Sequence, residues 1–385
     1  MSSWENSWAG NLVKTCGCEP MAGVYLSFPF CAQKCTFCNF ASGVFPEELE
    51  QQYNAALEDE IRRHCWQWTP ETVYLGGGTP SRVAPETLHS WLGLIPGRPW
   101  IEATIEAAPG GITREKARAW REAGINRVSL GVQSFVSDEL SQTGRRHTAE
   151  TVAAEVEILR REGIANLNLD LIAGLPRQTP ASFSRSLDWI ERLGVPHVSV
   201  YMLEVDEDSR LGSEILKGGL RYGAGKLPSE EEIVSMYETA VQRLGNMGLA
   251  RYEISNFARP GGESRHNLKY WRMEPYAGFG ADAHSFDGAT RSQNAESATA
   301  YVERWKNAQP SCVGKTPAIV EEERFLTGLR LSDGIVLEAD EWVRFAKPLE
   351  RFLSLGLLER DNDRLRLTGQ GVLYSNEVLQ EFLHA

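Results

Sequence analysis

Three cysteines crowd into eight residues of the segment YLSFPFCAQKCTFCNF. They are Cys31, Cys35 and Cys38, spaced C-x3-C-x2-C, out of seven cysteines in a chain of 385 residues. Thiolates this close together suit metal binding, and an odd cysteine count argues against a disulfide framework. Zinc usually takes four protein ligands, typically as two separated pairs, and no fourth partner is evident beside this trio. A cubane iron-sulfur cluster held by three thiolates keeps one iron without a protein ligand, so an exogenous molecule can coordinate it directly. The other cysteines carry plainer expectations. Cys16 and Cys18 read as two reduced thiols in a leader, and Cys65 and Cys312 as small apolar fillers.

Further polar residues follow in order along the chain. The run Gly76-Gly77-Gly78-Thr79-Pro80 lets backbone approach a ligand closely. Glu106 in IEAAP, Gln133 in RVSLGVQSF, Arg145 and His147 in GRRH and Asp170 in NLDLIAGLP each lie at or beyond the end of an expected strand. The carboxylates can accept from ribose hydroxyls or an ammonium, Gln133 can donate or accept, and Arg145 offers a planar fork to a carboxylate. Taken singly, each could equally be a turn residue, a strand cap or a surface cation. Taken with the cysteines, the set resembles the radical S-adenosylmethionine superfamily. That resemblance implies a 4Fe-4S cluster on Cys31, Cys35 and Cys38, with S-adenosyl-L-methionine at the open iron. It also implies that Tyr25, Phe37, Gly77, Gly78, Thr79, Glu106, Gln133, Arg145 and Asp170 surround that cofactor, with Phe37 shielding its adenine and the glycine turn receiving its amino group.

Within that superfamily the order of motifs is similar to two related groups, the oxygen-independent coproporphyrinogen III dehydrogenases and the HemW-type heme chaperones. The dehydrogenase signature continues to a fourth cysteine two residues after the third, where this chain has Phe40. Phenylalanine supplies no thiol, so the CNF ending resembles the chaperone pattern. The segment His266-Asn267-Leu268-Lys269-Tyr270-Trp271 matches the chaperones' HNxxYW motif. By that resemblance His266, Asn267, Tyr270 and Trp271 bind heme, with His266 an axial ligand and the aromatic faces against the porphyrin. His284 in GADAHSF is a second candidate. The implied function is binding heme and passing it to an acceptor protein. Oxidative decarboxylation of coproporphyrinogen III is the alternative. Ser27 stands where these relatives often carry histidine, so no role of that histidine transfers.

These residues need a scaffold, and the pattern supplies one. Short apolar runs at 24–28, 72–75, 100–106, 127–131, 166–172 and 197–203 alternate with amphipathic stretches at 46–65, 85–94, 113–123, 148–162, 180–192 and 229–247. Six strand-helix units are fewer than the eight of a closed barrel, so the expected fold is α/β, an open (β/α)6 barrel with ligand loops at the carboxyl ends of its strands. The expected units are a leader at 1–20, the barrel with the HNxxYW segment at 21–290, and a winged-helix-like domain at 291–385 with a hairpin at Asp361-Asn362-Asp363.

The balance of 40 Lys+Arg against 52 Asp+Glu, a net charge of -12, opposes binding to nucleic acid or anionic lipid. From Pro317 to Ala385 the count is 8 basic against 13 acidic residues, the wrong sign for a DNA-binding winged helix. Packing against the barrel is the expected role of that domain. No apolar stretch reaches bilayer length and Met1 to Lys14 lacks signal-peptide features, so the expected location is the cytoplasm, with no integral membrane segment.

Overall fold

Runs such as VYLSF, TVYLGG, RVSLGV and LNLDLIA put branched and aromatic side chains on both faces of a strand, the pattern of a sheet covered on both sides. The computed structural model describes residues 22–383. In it these runs form β1 (Ala22–Phe28), β2 (Pro70–Gly77), β3 (Glu102–Ala107), β4 (Arg127–Gln133), β5 (Asn166–Ala173) and β6 (His197–Met202), parallel neighbours in that order. Val24, Val73, Leu75, Ile105, Val128, Leu130 and Leu169 are fully buried. Each such side chain contributes about 1.5–3 kcal/mol relative to an exposed one. The leader 1–20, with Cys16 and Cys18, lies outside the described residues.

The intervening helices carry their own start and stop signals. Helix Pro180–Leu193 begins with a reciprocal Thr179/Ser182 capping box and Pro180 at its first position, and ends on Gly194 in the left-handed conformation. Helix Glu230–Asn246 begins with the equivalent Ser229/Glu232 box. In helix Glu47–Arg63, Tyr53, Ala56, Leu57 and Ile61 form the buried face that packs on the sheet.

The sheet stays open because β1 and β6 each take a different neighbour. Beyond β6 lie β7 (Ala250–Arg251) and β8 (Asn256–Ala258), with β8 antiparallel to β6. Beyond β1 lie β9 (Tyr276–Phe279), parallel to it, then the antiparallel β10 (His284–Phe286), β11 (Thr290–Asn294) and β12 (Cys312–Pro317). The sequence suggested a helical second unit from 291, but the large sheet continues to Pro317. TRSQN and CVGKTP lack the alternation that marks a strand, and only pairing with distant residues makes them one. None of the helices among the described residues is long and apolar enough to cross a membrane.

The C-terminal unit is winged-helix-like. Helix Val320–Gly328, β13 (Ile335–Val336), helices Ala339–Arg344 and Ala346–Ser354, and the hairpin β14 (Leu358–Asp361) with β15 (Arg364–Leu367) precede helices Gly369–Leu373 and Ser375–Gln380. Asn362 takes the left-handed backbone at the hairpin tip, as the Asp-Asn-Asp run suggested. Phe325, Phe345 and Phe382 pack with ring centroids 4.5–5.9 Å apart at its centre.

Candidate functional site

The cysteine loop leaves the carboxyl end of β1, where an open α/β sheet presents its ligand sites. It is held from both sides. Cys31 donates its backbone N–H to Gly43 and Gly43 donates to Pro29, at 2.8 and 2.9 Å. Thr36 donates its N–H and hydroxyl to Thr143 and Gln142, Leu211 donates to the Thr36 carbonyl, and Asn39 donates to the Asp206 carboxylate at 2.7 Å. The loops after β4 and β6 thus clamp the one after β1. Cys31 is buried and Cys35 and Cys38 are half-buried, all as free thiols. Among the described residues no three His, Cys, Asp or Glu side chains converge on a single ion site, Cys31, Cys35 and Cys38 included. Phe37 is half-buried in the same loop, whereas Phe40, where the related signature has its fourth cysteine, is 66% exposed.

The glycine turn is built against this loop. Gly77 has φ +108°, and a Cβ on Gly78 would lie 2.8 Å from the Phe30 carbonyl and 2.9 Å from that of Phe28. Gly78 and Thr79 donate their N–H groups to the carbonyls of Phe28 and Phe30, at 2.7 and 3.0 Å, and Gly77 donates to the Glu106 carboxylate at 3.2 Å. All three N–H groups are spent within the protein. Carbonyl oxygens are what this turn has left to offer, and those suit an ammonium.

Behind the turn, the strand interior is polar. Glu106 also accepts from the Tyr74 hydroxyl at 2.9 Å, and burial pushes its carboxyl up to about 7, with the nearby Asp170 adding to the rise. Asp170 accepts from Asn168 at 2.7 Å and is likewise raised by burial. Gln133 takes the left-handed backbone with φ 69°, a strain that an irregular strand end next to a site can hold. Its Oε1 is buried without a partner, as is Nε of Arg145, whose Nη1 donates to the Gly131 carbonyl at 2.6 Å. Two orphaned polar atoms, one acceptor and one donor, flank Gly131. They fit a polar ligand such as S-adenosyl-L-methionine at that place. His147 instead bonds the Val132 carbonyl at 3.1 Å and burial pushes its imidazole down to about 4, which makes it part of the support.

The HNxxYW segment lies at the opposite end of the barrel. Helix Arg265–Trp271 closes the amino-terminal ends of β1 to β3. Buried Glu102, at the start of β3, accepts from the Ser264 hydroxyl and from the N–H groups of Arg265 and His266, so a carboxylate caps the helix at its positive end. His266 is fully buried. Its Nδ1 pairs with the Thr72 hydroxyl and its Nε2 with the Tyr270 hydroxyl, both at 2.8 Å, and its ring stacks on Tyr74 at 5.3 Å. Burial drives its imidazole down to about 3. This departs from the sequence expectation: neither nitrogen is free for a heme iron, because the motif's own tyrosine and a β2 threonine use both. Asn267 instead lines a polar cavity of about 40 Å³ in the barrel, with Glu106, Arg127 and Asp170. Tyr270 packs on Tyr276, and Trp271 lies under Arg330 of the C-terminal unit at 4.5 Å. His284 is exposed on β10.

The sequence reading missed the residues that join the two ends. Tyr74 touches Glu106, His266 and Tyr25, the last with centroids 6.2 Å apart. Arg127 is 1% exposed, and Asn168, His197 and Tyr252 form a chain of bonds of 2.6 and 2.8 Å below Asp170. A polar residue inside an otherwise apolar strand was the available signal, in TVYLGG, RVSLGV and HVSV. Cys65 and Cys312 also depart from expectation: Cys65 is exposed and Cys312 half-buried, and both line a surface cleft.

Known proteins share the sequence pattern and the fold of this chain. The model of the radical SAM superfamily matches residues 25–190, and that of the HemN C-terminal domain matches 320–374. The chain is 34% identical to the heme chaperone HemW of Bacillus subtilis, over 94% of this chain and 99% of that protein. It is 34% identical to the heme chaperone HemW of Mycobacterium tuberculosis, over 95% and 97%, and 31% identical to that of Escherichia coli, over 69% and 70%. Among solved structures, the radical SAM enzyme coproporphyrinogen III oxidase (HemN) from Escherichia coli superposes with a TM-score of 0.80 at 22% identity, covering 94% of this chain and 90% of that one.

Proposed function

Because the chain belongs to the HemW family of radical SAM proteins, we propose that it is a cytoplasmic heme chaperone that binds heme and passes it to an acceptor protein. It would hold a 4Fe-4S cluster on Cys31, Cys35 and Cys38 and S-adenosyl-L-methionine at the open iron. The observation that carries the cofactor part is the pair of orphaned buried atoms on Gln133 and Arg145 beside Gly131, at the carboxyl end of β4. The chemistry supplied by such a cluster, when bound, would be one-electron reduction of the sulfonium cofactor or control of heme uptake through it.

The chain's own residues would do the positioning. Carbonyl oxygens of the Gly77–Thr79 turn and the Glu106 carboxylate would accept from the cofactor's ammonium. Arg145 would meet its carboxylate, Gln133 and Asp170 would take ribose hydroxyls, and Phe37 would cover the adenine, with Tyr25 behind the turn. Phe40 and the HemW relatives favour the chaperone over the coproporphyrinogen III dehydrogenase, because the fourth cysteine is replaced by an exposed phenyl ring. The HNxxYW helix would serve as the barrel floor that carries Asn267, with Tyr270 and Trp271 packed around it.

Anaerobic iron-sulfur reconstitution tests the assignment. The full chain is expected to show a 4Fe-4S absorption spectrum that the triple variant Cys31→Ala, Cys35→Ala, Cys38→Ala lacks. A persistent cluster spectrum in that variant would sink the ligand assignment. The reconstituted protein is expected to leave coproporphyrinogen III unchanged, and robust decarboxylation would favour the dehydrogenase.

A further inference from the structure

A sizeable cavity lies away from the cysteine loop and the barrel interior. It is a surface cleft of about 470 Å³ between the C-terminal end of helix Glu47–Arg63, the strands β9 to β12 and helix Ala298–Lys306. That volume is in the range of small-molecule and cofactor sites, which span roughly 300–1,000 Å³.

An imidazole opens on this cleft. His64 is half-buried and meets Trp66 and Phe279 edge-on at 4.6 and 5.0 Å, and its ring nitrogens have no hydrogen-bond partner among the described residues. The other described histidines are differently placed. His197 and His266 have both nitrogens bonded, His147 is held by Val132, and His89 and His284 are exposed outside the cleft. Burial also holds the His64 imidazole below its ordinary value, so the ring is neutral near pH 7 and keeps a lone pair for a metal.

The rest of the lining offers aromatic surface for a flat ring, with two cations and three carboxylates. Trp68, Phe279 and Trp305 supply aromatic surface. Three carboxylates line the cleft and each has partners: Asp59 has Arg63 and the Trp305 indole, at 2.8 and 3.0 Å, Glu60 has Gly280, Asn294 and Tyr301, at 2.9, 2.9 and 2.6 Å, and Asp287 has the N–H groups of Ala289 and Thr290, at 2.9 and 2.6 Å. The cations of the lining are Lys315, whose side chain is exposed and would be available to a propionate, and Arg63, which is paired with Asp59.

We propose that this cleft is the heme-carrying site of the protein and that His64 is the axial ligand of the heme iron. The inference rests on the heme-chaperone reading and gives that reading a location. Ligation needs no redox step: the imidazole lone pair forms the Fe–N bond as an axial water leaves.

Hemin titration of the reconstituted full chain, followed in the Soret band, tests it. The wild type is expected to saturate with a shifted band. His64→Gly is expected to bind at least tenfold more weakly, to keep its cluster absorbance, and to regain the wild-type band when free imidazole is added. His284→Ala and the double variant Cys65→Ser, Cys312→Ser are expected to match the wild type. Saturable binding in the wild type with an unchanged band and affinity in His64→Gly overturns the ligand while leaving the chaperone reading intact. Loss of the band in the double cysteine variant instead of in His64→Gly moves the ligand to sulfur and also overturns the proposal. A wild type that never saturates overturns the chaperone reading itself.

Discussion

At Glu106, burial outweighs the two hydrogen bonds the carboxylate accepts from Tyr74 and Gly77, and its carboxyl rises from 4.5 to about 7. The folded state therefore binds this proton more tightly than the unfolded chain does. The stability it contributes is fully present below about pH 4.5 and is lost as pH rises through about 7, an effect on the order of 3 kcal/mol. Glu106→Gln is expected to remove this loss. Urea unfolding of the cofactor-free protein at pH 4.5 and pH 8 reads it, and a variant with the wild-type difference between the two would contradict the assignment. The same buried carboxylate is primed for a cationic partner, because an ammonium delivered at the Gly77 turn would draw it back to its ionised form.

The helix Arg265–Trp271 is only seven residues long, too short to persist alone, and it exists because Glu102 caps it and His266 pins it to β2. His266→Ala would leave the Thr72 and Tyr270 hydroxyls without their partner in a buried place, a cost of about 2–4 kcal/mol. The expected result is a lower unfolding midpoint with the hemin Soret band of the folded protein unchanged. A lost band at unchanged stability would return His266 to the role of ligand. This element also marks the limit of what was legible in the sequence. HNxxYW was visible as a motif, and its aromatics and imidazole suggested a porphyrin. Its burial was not, because it depends on Glu102, Thr72 and Tyr74, which come from strands 164 to 194 residues away. The cysteine loop, the glycine turn and the first six strands were legible because spacing and alternation are local properties. Strands β11 and β12 were not, since no local pattern distinguishes TRSQN from a loop.

At the scale of the whole molecule, the barrel and the C-terminal unit meet through an isolated backbone bridge at Glu253 and Leu331 as well as side chains. Ser332 donates to the Tyr252 carbonyl at 3.0 Å, Ile254 donates to Arg330 at 3.1 Å, and the Arg330 guanidinium lies over Trp271 and 3.8 Å from buried Glu253. Glu253 keeps Ser255 and Asn256 as partners, so Arg330→Ala is expected to cost about 1–3 kcal/mol and no more. Thermal unfolding checks this, and an unchanged midpoint would mean that the junction does not depend on the cation. The arrangement gives the molecule two separate faces: the cysteine loop at the carboxyl ends of the strands, and the His64 cleft beside the sheet extension. The most direct measurement of the central claim is a hemin titration of the anaerobically reconstituted chain. A heme chaperone predicts saturation at one equivalent with a shifted Soret band and an intact 4Fe-4S spectrum, and hemin that stays unbound or that never saturates would contradict it.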